Sequence, residues 1–69
     1  MNGTFPTTAA DCIAELHLIA LDASRASGAE YYALEEKARG LLRRAHLAGG
    51  AASERQRRML RDAFEVFNW

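Results

Sequence analysis

Apolar residues return every three or four positions along most of this chain, and no stretch alternates apolar with polar at period two. A spacing of three to four places side chains on one face of an α-helix, whereas a strand needs alternation. The pattern breaks at Gly28 and again at the pair Gly49-Gly50, and it begins only after Pro6. Three capping boxes stand at the resulting starts: Thr8 with Asp11, Ser27 with Glu30, and Ser53 with Gln56. In such a box the hydroxyl accepts a first-turn N–H, and the later side chain reaches back to the cap's own N–H. The pattern predicts an all-α fold, a compact three-helix bundle with helices over about 8–26, 28–48 and 53–68. Residues 1–7 are expected to form a flexible N-terminus, and 8–69 a single helical domain. The first joint has an alternative, because Gly28 costs only about 1 kcal/mol inside a helix. One continuous helix through it would open the hairpin into a swapped dimer. Ser27 and Glu30 favour the turn.

The faces differ from helix to helix. In the second helix Tyr31, Leu34, Ala38, Leu41, Ala45 and Ala48 form one seam, with Leu42 beside it. The third places Met59, Leu60, Ala63, Phe64 and Phe67 inward, with Val66 at the edge. The first has two apolar faces. Cys12, Ile13, Leu16, Ile19, Ala20 and Ala23 share a wide one, while Ala14, Leu18 and Leu21 lie nearly opposite, beside an acidic stripe of Asp11, Glu15 and Asp22. A helix in a monomeric three-helix bundle needs a single buried stripe. A surplus apolar face on a small domain marks a contact site more often than decoration.

Size sharpens that expectation. A chain of 69 residues buries only about 60% of the surface its unfolded form exposes. Fourteen of its apolar residues are alanine, which favours helix but buries little area. Cys12 is the only cysteine, so no internal disulfide supplements the core. Dimerisation or a hetero-complex would complete such a bundle. The N-terminal "MNGTFPTTAADC" has neither a basic nor an apolar leader segment. The apolar stretch "CIAELHLIAL" is too short to span a bilayer and is interrupted by Glu15 and His17. A cytoplasmic protein without membrane contact is the expectation. Eight arginines against one lysine, with so much alanine, point to a GC-rich bacterial or phage genome.

Charge is divided along the chain, at −5 over residues 1–36, +7 over 37–61 and −2 over 62–69. The basic segment includes "RRAHLAGGAASERQRRMLR", six arginines and one acid around a Gly-Gly joint. Such density is a nucleic-acid signal, centred on Arg43, Arg44, Arg55, Arg57 and Arg58. The helical wheel argues against it. Glu54 precedes Arg58, Arg58 precedes Asp62, Arg61 precedes Glu65 and Glu35 precedes Arg39, each by one turn. Interleaved carboxylates weaken a row meant for phosphates. Arg43 and Arg44 have no acid within a turn, and Arg57 has only Glu54 at i−3. Free positive charge is therefore expected at the corner. A DNA-reading helix-turn-helix also uses short helices, and the second helix here would run about five turns.

Catalytic and metal chemistry has little to stand on. Cys12 and His17 are five residues apart and diverge by about 140° on a helix. No second cysteine or close histidine pair completes a zinc site, and the glycines do not match a phosphate loop. Cys12 is expected to be a small buried hydrophobe. The stretch "RASGAEYYALEEKARGLL", a helical hairpin with tyrosines after its turn, resembles the small co-chaperones of bacterial type III secretion. That resemblance implies partner binding and assigns no residue a role. The expectation is a non-enzymatic helical protein without cofactor that binds another protein as an inhibitor, adaptor or co-chaperone does. The expected partner carries an acidic surface, and the candidate binding residues are Leu18, Leu21, Tyr32, Arg39, Arg43, Arg44 and Arg57. The alternative is a nucleic-acid-binding regulator using the arginine corner.

Overall fold

The structure, a computed structural model, describes residues 8–69; the expectation about 1–7 lies outside the described residues. It is a three-helix bundle: α1 spans Ala9–Ala23, α2 Ala29–Leu47 and α3 Glu54–Phe67. The described part measures 31 × 30 × 15 Å along its principal axes. Helix α1 packs against both α2 and α3, while α2 and α3 meet each other far less. This explains the wide apolar face of α1. All six of its predicted residues, Cys12, Ile13, Leu16, Ile19, Ala20 and Ala23, are buried. Full burial of Ile13 and Leu16 is worth about 1.5–3 kcal/mol each. Helix α2 adds Ala38, Leu41 and Ala45 to the core and α3 adds Ala63 and Phe67. Ala48, expected on the α2 seam, is exposed because the helix ends one residue before it.

Two of the three capping boxes form, each in altered detail. Thr8 accepts the Asp11 N–H at 3.0 Å, and Ser53 accepts the Gln56 N–H at 3.1 Å. Gln56 Oε1 reaches back one residue further than a standard box, to the Ala52 N–H at 2.7 Å. Ser27 does not cap. Gly28 is the N-cap of α2 and no side chain bonds there. The reason is the turn itself, which needs φ +62 at Gly28. Only glycine adopts that conformation without strain, so the cap falls one residue past the serine. Helix α1 also stops three residues before the predicted end. The Ser24 hydroxyl donates to Leu21 O at 2.6 Å, and tighter turns follow from Arg25 N to Asp22 O and from Ala26 N to Ala23 O. The helices are separate, not continuous.

Both later helices end in the same way. Gly50 N donates to Ala45 O at 2.8 Å and Gly49 N to His46 O at 3.2 Å, closing α2. Trp69 N donates to Phe64 O at 2.9 Å and Asn68 N to Glu65 O at 3.3 Å, closing α3. Each is the paired six-to-one and five-to-two closure of a Schellman motif, which needs a left-handed residue just past the helix. Gly49 and Asn68 supply it, at φ +115 and +58. The motif brings its last residue back against the helix, and in α3 that residue is Trp69.

Candidate functional site

The Schellman turn makes Trp69 the centre of an aromatic cluster. Its ring stacks on Phe67 with centroids 4.8 Å apart, and meets Phe64 edge-on at 5.8 Å. The indole N–H donates to Glu35 Oε2 at 3.1 Å. The same carboxylate accepts from Arg39 at 3.2 Å, and the Arg39 guanidinium lies 5.7 Å from the Trp69 ring centroid. These two hydrogen bonds, the indole's first, hold the Glu35 carboxyl below the usual carboxylate range. Tyr31 ties the helices a second time, donating to Val66 O at 3.2 Å. The end of α3 is thus pinned to the N-terminal half of α2 by polar bonds around an aromatic stack.

Two shallow grooves each include one residue that contacts Trp69. One, of about 430 Å³, is lined by Arg39, Leu42, Arg43, His46 and Leu47 of α2. The other, of about 310 Å³, is lined by Arg57, Leu60, Arg61 and Phe64 of α3. Trp69 lines neither groove, but it lies against one residue of each, Arg39 and Phe64. No residue of α1 lines either. Leu47 is 82% exposed, and Phe64, expected on the inner face of α3, is 38% exposed and meets Trp69 instead of the core. Tyr32, 67% exposed, stands seven residues before Arg39 and so extends the α2 side of this surface by two turns.

The candidate residues from the sequence therefore divide. Arg39 lies against Trp69, Arg43 lines the α2 groove and Arg57 the α3 groove, while Tyr32 is exposed on α2 and lines neither. Arg44 does not join them, because adjacent helical residues diverge by about 100°, and it lines neither groove. Leu21, 44% exposed, lines a third groove with His17 and Ala20 of α1 and Asp62, Glu65 and Val66 of α3. Leu18 is 57% exposed and is turned away from the buried face of α1 by about 160° relative to Leu16. Leu47, Phe64 and Trp69 were not singled out as surface residues by sequence reasoning. Leu47 breaks the α2 seam and was readable as an outlying leucine. The role of Trp69 had no signal, since it depends on how the chain turns back after α3.

Ion pairing also departs from the helical wheel. Glu35–Arg39 forms as expected. Glu54 pairs with Arg57 at 3.0 Å, not with Arg58. Asp62 faces His17 Nε2 at 3.5 Å across the α1–α3 boundary, and neither Arg58–Asp62 nor Arg61–Glu65 is present among the described residues. A competing partner at i+3 drew Glu54 away from Arg58, and one on another helix drew Asp62 away from Arg58. Among the described residues Arg43, Arg44, Arg55, Arg58 and Arg61 carry no ion pair. Positive charge is thus available on both grooves beside Trp69, from Arg43 on one side and Arg61 on the other. No three His, Cys, Asp or Glu side chains among the described residues gather closely enough to hold a metal ion, and no described helix is long and apolar enough to cross a membrane. Cys12 is buried in the core. Compared with models of protein families, with curated proteins and with solved structures, the chain matches none.

Proposed function

We propose that this is a non-enzymatic protein-binding module, of the inhibitor or adaptor kind, whose working surface is the arginine-rimmed aromatic face of α2 and α3. The observation that carries this reading is the position of Trp69, against Arg39 on one side and Phe64 on the other. It lies against one residue of each groove, and we read the two as one surface with apolar side chains between arginines of α2 and α3. Tryptophan, tyrosine and arginine are the residues over-represented where interfaces concentrate their binding energy. Their supports are rigid, because Trp69 is stacked, hydrogen-bonded and backbone-closed before any partner arrives. The chemistry fits an acidic partner segment with apolar side chains on one face.

Trp69 is the only tryptophan, so its emission reports this surface directly. The test is a titration with an amphipathic model helix of leucine and glutamate, and with its leucine and lysine counterpart. The acidic helix should shift the emission and the basic one should not. Arg43→Glu with Arg61→Glu should weaken that binding by at least about tenfold, or ~1.4 kcal/mol. Absence of any response to the acidic helix would remove this reading.

A second reading has one observation in its favour: aromatic rings among arginines also suit single-stranded nucleic acid. Glu35 and Glu54 neutralise two of the four rim arginines, which favours the protein partner. An oligonucleotide that quenches Trp69 with steep salt dependence would reverse the preference.

A further inference from the structure

The chain carries a second exposed apolar face whose charge is opposite to the first. On α1, Leu18 and Leu21 stand out of the core beside Asp11, Glu15 and Asp22, all exposed. No lysine or arginine lies in α1 itself; Arg25, just past its end, lines a shallow groove with Asp22 and Glu30. On the α2–α3 face, Trp69, Phe64 and Leu47 lie among arginines, of which Arg43 and Arg61 have no ion pair among the described residues. The two faces lie on different sides of the molecule. Helix α1 turns its buried side toward both other helices, and none of its residues lines either groove beside Trp69. They cannot therefore satisfy each other within one chain.

We infer that the occupant of the arginine-rimmed face is α1 of a second copy of this chain, so that copies pair head to tail. The inference rests on the reading of the α2–α3 face as a protein-binding surface and names its partner. Charge complementarity carries it. The α1 stripe supplies carboxylates at Glu15 and Asp22 to meet Arg43 and Arg61, and Leu18 and Leu21 supply the apolar side chains to meet Trp69 and Phe64. Each copy brings one face of each sign, in keeping with a net charge of zero. A contact between two different patches is heterologous: it leaves one face open at each end and propagates until it closes into a ring. The need is physical as well, since a bundle this small gains stability from burying such faces.

The experiment is sedimentation velocity over a micromolar-to-millimolar series, on the wild type and two charge-reversed variants. One variant is Glu15→Arg with Asp22→Arg, the other Arg43→Glu with Arg61→Glu. All four side chains are exposed and none has an ion pair among the described residues, so helix content should match the wild type by circular dichroism. The wild type should at least double its weight-average mass at low salt and lose that gain at high salt. Each variant alone should remain at the mass of one chain. Their equimolar mixture should associate again, because each then offers the other a face of opposite sign. If a reversed variant failed to fold, Leu18→Gln with Leu21→Gln carries the same test and should stay at the mass of one chain.

A wild type that stays single at every concentration overturns the inference. So does an Arg43→Glu, Arg61→Glu variant that associates like the wild type, which would mean that α1 pairs with α1. The acidic-helix titration separates the two levels of failure. A single-chain wild type whose Trp69 still answers the acidic helix leaves the binding face standing with a foreign partner. One whose Trp69 answers nothing loses both, and one answering only the oligonucleotide passes to the nucleic-acid reading.

Discussion

Trp69 donates its indole N–H to Glu35 across 34 positions of sequence, at 3.1 Å. With the Tyr31 bond to Val66 O, this bond joins the end of α3 to the N-terminal half of α2, and Arg39 pairs with the same carboxylate. Both bonds to Glu35 are stronger to the ionised carboxylate than to the neutral acid, and both hold the Glu35 carboxyl below its usual range. A group with a depressed value in the folded state contributes its full stabilisation above the unfolded value, and loses it as pH falls through the folded one. Acid should therefore loosen Trp69 before it unfolds the bundle. Trp69 emission followed from neutral to acid pH should show a transition below the usual carboxylate range in the wild type. Glu35→Gln, which keeps an acceptor oxygen but cannot titrate, should lack it. An identical acid transition in both proteins would show that Glu35 does not control the docking.

Capping gives a paired test on two serines. Ser53 accepts a first-turn N–H of α3, so Ser53→Ala should cost about 1 kcal/mol. Ser27 makes no such bond, and Ser27→Ala should change stability by no more than about 0.5 kcal/mol. Urea denaturation measures both. Equal losses would mean that Ser27 caps α2 after all.

Two glycines should respond in opposite directions. Gly40 lies within α2, is exposed, and has open space where a Cβ would stand. Gly40→Ala should stabilise by about 0.5–1 kcal/mol through helix propensity. At φ +115 Gly49 also has room for a Cβ, but its backbone conformation is one that alanine resists. Gly49→Ala should destabilise, by about 1–3 kcal/mol. Thermal melting of the two variants distinguishes backbone conformation from space, because space is equal at both sites.

Leu18 and Leu21 should prove expendable for folding of a single chain. Leu18→Asp with Leu21→Asp should keep the helical spectrum at low concentration, with a loss far below that of a core truncation. Phe67→Ala is the contrast. Phe67 is buried among Tyr31 and Trp69, and its truncation should cost about 3–5 kcal/mol. Collapse of the leucine variant under the same conditions would make α1's outer face part of the fold, not a contact surface.

Arg43→Glu with Arg44→Glu should likewise leave the fold intact, since both side chains are exposed and off the buried seam. Their effects on binding should separate. Arg43 borders the groove beside Trp69 and Arg44 does not. The Arg43 change alone should reproduce the loss of acidic-helix binding, while the Arg44 change alone should leave it within about twofold, or ~0.4 kcal/mol. Equal losses would return both to a diffuse charge effect.

By itself the sequence determined the all-α class, three helices in nearly their true places, and most of the residues each turns inward, Ala48 and Phe64 excepted. Helix periodicity and caps are local, set by neighbours three or four positions away, and Ile13, Leu16, Ala38 and Phe67 fell where that spacing puts them. The exposed Leu18, Leu21 and Tyr32 were legible for the same reason. What only the tertiary structure decided was which side chains share a surface. Glu54 turned to Arg57 and Asp62 to His17 because, on a helix, several partners lie within reach and packing chooses among them. The gathering of Arg39, Arg43, Phe64 and Trp69 depends on the backward turn after α3 and on how α3 lies against α2. Neither is encoded in a repeat of three and four, so the centre of the candidate site had to come from contacts more than thirty residues apart in sequence.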